Sequence, residues 1–327
     1  AMVTAHVNEA TLYMKNKEYA RAEAAVAAAL ELSPDFLPAL ILKSQIAREQ
    51  KQWDKALAAG RRVLEIDPQG ERQAYSQLGR IYADAGRIPE GLAYLRAVTA
   101  AHPEIAEAHA ALGALLLKSG DGAAAETELL ASLKLDPSLG DPLSELHTLY
   151  QNTPKVLALE PIVRQGLALN DQSVVHHNWM GIILEWKKDL PGAEREFKRA
   201  MDLDPDYAAT MANLGALYGR SLRLDEAVAI LKRAVGKDPD NIEAWINLGA
   251  AQGRLNHPKE AIPALETARG KGASTTTLFN ALALAYLQDG QKDRAVGYLK
   301  ESLAKDPTQK EARELLDAVT RSSAPPR

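Results

Sequence analysis

The sequence predicts an all-α protein, a solenoid of stacked helix pairs, and three observations predict it. Prolines recur on a 34-residue grid, at Pro34, Pro68, Pro103, Pro137, Pro205, Pro239 and Pro307, with one residue of slippage between the second and third. Only Asp171 and Ala273 stand at grid points without proline. Phrases recur with the same spacing: Asn213-Leu214-Gly215 returns as Asn247-Leu248-Gly249, and Arg220 as Arg254. Between the prolines, small and apolar residues fall at helical spacing.

With the grid residue set at position 32, nine units begin at Val3, Leu37, Arg72, Ala106, Gly140, Val174, Ala208, Ile242 and Thr276. Each unit needs a small residue at position 8 of its first helix (helix A) and another at position 20 of its second (helix B), where the two backbones approach. Unit one has Ala10 and Ala22, unit two Ser44 and Ala56, unit three Gly79 and Gly91, and unit four Gly113 and Ala125. Unit five departs, with His147 and Leu159 in these columns and Pro154 and Pro161 around its second helix, so it is expected to bend or offset the stack. Units six to nine return to the pattern with Gly181 and Ala193, Gly215 and Ala227, Gly249 and Ala261, and Ala283 and Ala295. A large apolar residue near position 24 (Val26, Leu95, Leu129, Val163, Phe197, Leu231, Leu265, Leu299) completes the stripe. Gly86, Gly120-Asp121-Gly122 and Asp289-Gly290 break the chain between helices, and Asp-Pro ends the second helix because proline disfavours helix in the residue before it. Residues 310–321 place Ala312, Leu315, Leu316 and Val319 on one face and charges on the other, as an end-cap for an open array requires.

A 34-residue helix-turn-helix unit with Leu-Gly in helix A, Ala in helix B and a closing Pro resembles the tetratricopeptide repeat, over residues 3–309. The resemblance implies a right-handed superhelix whose helix A side lines a concave groove that binds extended peptides or helices of partner proteins. The chain then divides into residues 1–2, with Ala1 read as a remnant of the expression vector, units one to four (3–137), irregular unit five (138–171), units six to nine (172–309), a capping helix (310–321) and a disordered tail (322–327).

In the family, helix A positions near 2, 5, 6, 9, 12 and 13 face the groove. Position 6 holds Asn8, Asn213 and Asn247, with Asn178 and Asn280 one place earlier in units six and nine. A carboxamide both donates and accepts, so such a row can grip a peptide backbone while ignoring its side chains. The arrangement resembles the asparagine ladder in the repeat domain of O-linked N-acetylglucosamine transferases, in strict register only in units seven and eight. Arg220 and Arg254 at position 13 are candidates for a ligand carboxylate, or partners of Asp225 and Glu260. Trp179 and Trp186, seven residues apart, are candidate hot spots on one helix face or fillers beside unit five. Trp53 and Trp245 fall in packing columns. The tyrosines at position 11 of the odd units (Tyr13, Tyr82, Tyr150, Tyr218, Tyr286) are read as packing residues whose hydroxyls reach solvent or a neighbouring helix, and their alternation suggests growth by two-unit blocks.

The composition, 46% hydrophobic and 25% charged over 327 residues, is that of a globular chain. A net charge of -4 argues against a nucleic-acid partner. No cysteine is present, so thiolate chemistry and Cys-based metal sites are excluded. No phosphate loop, zinc-protease or nucleophile-elbow motif occurs, and the adjacent pair His176-His177 points about 100° apart on a helix. The expectation is a noncatalytic scaffold with no cofactor and no metal, binding another protein or peptide mainly through units six to nine. Homo-oligomeric assembly and a docking role within a larger enzyme are the rival readings. No apolar run is long enough to span a bilayer, and cytoplasmic placement is favoured over periplasmic, which a removed signal would allow.

Overall fold

The computed structural model describes residues 2–69, 73–150 and 153–321. Ala1, the start of unit three at Arg72 and the 322–327 tail lie outside the described residues. Within them, every regular element is helical. Units one to four are the pairs α1 (Met2–Lys15) and α2 (Tyr19–Leu32), α3 (Leu37–Glu49) and α4 (Trp53–Ile66), α5 (Ala74–Asp84) and α6 (Ile88–Ala101), and α7 (Ala106–Ser119) and α8 (Gly122–Leu135). Unit five is α9 (Gly140–Tyr150), a 3-10 helix (Pro154–Leu159) and the short α10 (Glu160–Leu169). Units six to nine are α11 (Val174–Trp186) and α12 (Leu190–Leu203), α13 (Ala208–Arg220) and α14 (Leu224–Lys237), α15 (Ile242–Arg254) and α16 (Pro258–Gly270), and α17 (Thr276–Gln288) and α18 (Lys292–Lys305). The capping helix is α19 (Lys310–Arg321). The chain forms two compact lobes, one of Ala1–Lys155 with Pro161–Asn170, the other of Val156–Glu160 with Asp171–Arg327.

In each regular unit helix A packs on its own helix B, and in most on helix A of the next unit. The small columns are the reason. A Cβ on Gly215 would lie 2.5 Å from Leu231 Cγ, one on Gly249 2.5 Å from Leu265 Cγ, and one on Gly113 2.6 Å from Leu129 Cγ. The position 24 side chain therefore seats directly on the helix A backbone, and Leu129, Leu231 and Leu265 are fully buried. In unit five no such seat exists: Leu159 and Val163 are buried, but Pro154 and Pro161 leave the second helix as a 3-10 turn followed by an α-helix that starts only at Glu160.

Two turns punctuate each regular unit. After helix A, position 15 is left-handed: Gly86, Gly120 and Gly290 have φ of 69°, 87° and 77°, while Lys17, Lys51, Lys188, Leu222 and Asn256 adopt φ of 58° to 67° without being glycine. Leu222 is the least suited of these, with a branched side chain that is 66% exposed. The left-handed region costs a non-glycine residue about 1–2 kcal/mol, offset in part by glycine's freer unfolded chain, so Leu222→Gly should raise stability by about 0.5–1 kcal/mol in urea unfolding. After helix B, the Asp before proline turns extended, as at Asp204 (φ -138°, ψ 96°), and its carboxylate accepts the backbone N–H two residues on, at 2.9 Å from Asp206 and 2.9 Å from Thr308 in the turn at Asp306.

Polar contacts repeat every second unit. Tyr150, Tyr218 and Tyr286 donate to Glu126, Glu194 and Glu266 of the preceding unit at 2.8, 3.0 and 2.8 Å. At position 4 of even units, His109 Nε2, His177 Nε2 and Trp245 Nε1 donate to the carbonyl oxygens of Pro103, Asp171 and Pro239 at 3.2, 3.0 and 2.9 Å, and Arg313 of α19 donates to that of Pro307. Against the opposing effect of burial, the hydrogen bond from Arg223, with Lys198 and Tyr218 adding, holds the Glu194 carboxyl down to about 2. Its folded value lies below the unfolded value of about 4.3, so the stabilisation is complete above that pH and is lost as pH falls towards 2. Glu194→Gln should flatten the acid-side fall in melting temperature in that window, and an unchanged profile would remove this network from the account.

Candidate functional site

The helix A face carries the residues singled out from sequence, and the structure ties most of them into the array itself. Asn178 on α11 is 4% exposed, and its Oδ1 accepts from Thr210 Oγ1 (3.1 Å) and Asn213 Nδ2 (3.0 Å) on α13. The two asparagines are partners of each other and join units six and seven. Asn280 on α17 donates to Gln309 Oε1 at 2.7 Å, towards the capping helix. Asn247 on α15 is half-buried and has no side-chain partner among the described residues.

The position 13 side chains have a shared role that differs from ligand binding. Arg220 pairs with Glu185, not Asp225, and Arg254 Nη1 donates to the Gly219 carbonyl at 2.9 Å, not to Glu260. Gln288 Nε2 likewise donates to the Gly253 carbonyl at 2.8 Å. Each reaches back to position 12 of the preceding unit, Arg220 to the Glu185 carboxylate and Arg254 and Gln288 to carbonyls at the electronegative end of a helix, which also accept a backbone N–H in the turn. In the first lobe Asp84, again at position 13, accepts from Arg48 at position 12, from Nε at 2.8 Å and Nη2 at 2.6 Å.

Trp179 corrects the expectation for the tryptophan pair. It is 1% exposed and is a core side chain, because a large ring beside the irregular unit gains more from burial than from the surface. Trp186, seven residues on, is half-buried. Ladder, arginines and tryptophans thus do not converge on one open site. Among the described residues, no group of three or more His, Asp or Glu side chains is placed to hold a metal ion.

The open space lies elsewhere. In the first lobe a cavity of about 610 Å³ runs across α5, α7 and α9, within the about 300–1,000 Å³ range of ligand clefts. Its floor is Gly79, Ala110, Ala111 and Ala114, and its rim carries Arg80, Lys118 and Glu145. Burial pushes the Glu145 carboxyl up, with Lys118 and Arg80 opposing and Asp141 adding to the rise. A second cleft of about 410 Å³ adjoins the ends of α1 and α3 and the middle of α5 and shares Arg48 and Arg80 with the first. Attention to the Asn-Leu-Gly phrase passed over this lobe. The signal present in the sequence was small residues at positions 5, 6 and 9 of unit four, Ala110, Ala111 and Ala114, flanked by charges at groove positions of units three to five.

Models described as tetratricopeptide repeat match residues 7–71, 76–139 and 187–242, and further ones match 220–285 and 277–311. The human protein O-mannosyl-transferase TMTC3 is 25% identical over 219 residues, which are 65% of this chain and 24% of that protein. The chain therefore spans about a quarter of the length of that relative. Among solved structures, the APC/C hetero-tetramer Cut9-Hcn1 is similar with a TM-score of 0.68 at 19% identity, over 91% of this chain and 59% of that one. YrrB, a TPR protein, has a TM-score of 0.43 at 14% identity, over 57% of this chain and 96% of that one.

Proposed function

The chain belongs to the tetratricopeptide repeat family and is a scaffold for protein–protein interaction; from that premise we propose that it holds an extended segment of a partner protein along the helix A face of its first lobe. The observation that carries this reading is the 610 Å³ cavity with a floor of Gly and Ala and a charged rim. Small floor residues let a partner's backbone approach helix backbone closely, and charged groups at the rim fix its register. The contacts of units six to nine then serve a different end, keeping successive helices in register so that the face stays a fixed template. This shifts the reading away from Asn178, Asn213, Asn280, Arg220, Arg254 and Trp179, and leaves Asn247 and Trp186 as the second lobe's accessible groove residues.

Site-specific photo-crosslinking in source cells tests it. A benzophenone side chain at Ala114, on the cavity floor, should give discrete protein adducts, whereas one at the exposed Lys134 on α8 should not. Equal labelling from both positions, or labelling from Lys134 alone, would move the site off the helix A face. Substrate docking within a longer enzyme is a second reading, favoured by the named transferase of which this chain matches a quarter. It is checked by reading the parent open reading frame for a catalytic segment.

A further inference from the structure

We propose that the cleft between the ends of α1 and α3 and the middle of α5 binds an acidic stretch of the partner protein. The proposal rests on the reading of the helix A face as a peptide-binding surface and adds the chemistry it selects. The cleft, about 410 Å³, is lined by four cations, Lys15, Lys17, Arg48 and Arg80, and by a single carboxylate, Glu49. That local excess runs against a chain whose net charge is -4.

Among the described residues, three of the four cations are held in no ion pair, although Arg80 also acts on the Glu145 carboxyl of the neighbouring cavity. Arg48 is held by Asp84, but Lys15, Lys17 and Arg80 make no ion pair among the described residues. Elsewhere on the first lobe, Arg21, Arg62 and Arg87 are each paired with carboxylates. Cations near helix C-termini are the ordinary complement of the helix dipole, which accounts for Lys15 at the end of α1. It does not account for Arg80, which lies in the middle of α5, a helix whose last turn carries no basic residue.

The second feature is a pair of carboxamides. Gln45 on α3 and Gln77 on α5 line the same cleft, are half-buried and have no side-chain partner among the described residues. Each offers one acceptor and two donors, the set that an extended backbone requires. A guanidinium and two ammonium groups beside them supply charge-assisted hydrogen bonds for carboxylate side chains. Backbone grip and carboxylate capture in one cleft fit an acidic peptide better than an isolated anion, which would leave the carboxamides unused.

Fluorescence anisotropy with a labelled twelve-residue peptide of alternating Glu and Ala, set against its Gln and Ala counterpart, tests the proposal on the full chain. The acidic peptide should bind at least about tenfold more tightly, and Lys15→Gln with Arg80→Gln should remove about tenfold of that affinity, because hydrogen bonds to charged groups dominate the difference. Binding should weaken as salt is raised. Both replaced side chains are exposed, and circular dichroism checks that the variant stays folded. Equal affinity for the two peptides, or full affinity in the variant, overturns the acidic assignment. If both peptides bind equally and Ala114→Arg abolishes both, the groove reading stands and only the selectivity falls. If neither peptide binds and Ala114 gives no adducts, both fall. Capture by phosphatidylserine vesicles as strong as by the peptide would also overturn it.

Discussion

Trp179→Ala is expected to destabilise the protein by about 3–5 kcal/mol, the range for truncating a large buried aromatic side chain. The ring is 1% exposed, so its removal leaves a cavity that α11 and its neighbours fill only in part. Urea unfolding of the second lobe reads the loss. The contrast with Trp186→Ala is what makes the test informative: Trp186 is half-buried, and its truncation should shift the midpoint far less. A Trp179→Ala protein as stable as its parent, with binding impaired, would return that residue to the surface and restore the pair as a candidate hot spot. Any binding defect should instead track the unfolded fraction and disappear when the variant is assayed well below its transition.

The second large effect concerns the seat on which Phe197 rests. A Cβ added to Gly181 would stand 2.5, 2.6 and 2.9 Å from Phe197 Cε1, Cδ1 and Cζ, and Phe197 is fully buried. Gly181→Ala alone should cost about 1–3 kcal/mol through overpacking, even though alanine favours helix over glycine by about 1 kcal/mol. Phe197→Ala alone should cost about 3–5 kcal/mol. In the Phe197→Ala background the clash is gone and the helix preference remains, so adding Gly181→Ala there should be neutral or stabilising, giving a coupling of about 2 kcal/mol in a double-mutant cycle. Additivity within about 0.5 kcal/mol would mean that ring and glycine do not share the space.

The helix pairs were legible because each depends on a local rule. Gly215 and Leu231, or Gly249 and Leu265, announce a close approach through size alone, and Asp-Pro announces a stop through backbone sterics. The site was less legible because groove positions serve two purposes. Asn178 and Asn213 looked like rungs for a peptide, yet they lie on adjacent helices and satisfy each other, which the sequence of one helix at a time cannot reveal. Arg254 has Glu260 or a ligand carboxylate as its candidate partner in sequence, whereas the preceding helix places the Gly219 carbonyl beside it. Lys15, Arg80 and Gln77 belong to units without a conspicuous motif. Their importance comes from standing together around one cleft, and that is a property of the folded surroundings.

The tyrosine contacts at position 11 recur in units five, seven and nine, so one of these units is not interchangeable with the unit next to it. Tyr218 finds its carboxylate in an even unit before it. Deleting a single unit from the middle would set like against like and strand these donors, whereas removing or inserting a neighbouring pair would restore every junction. The heritable and engineerable quantum of this protein is therefore the pair, and its reach along a partner should lengthen or shorten in double steps.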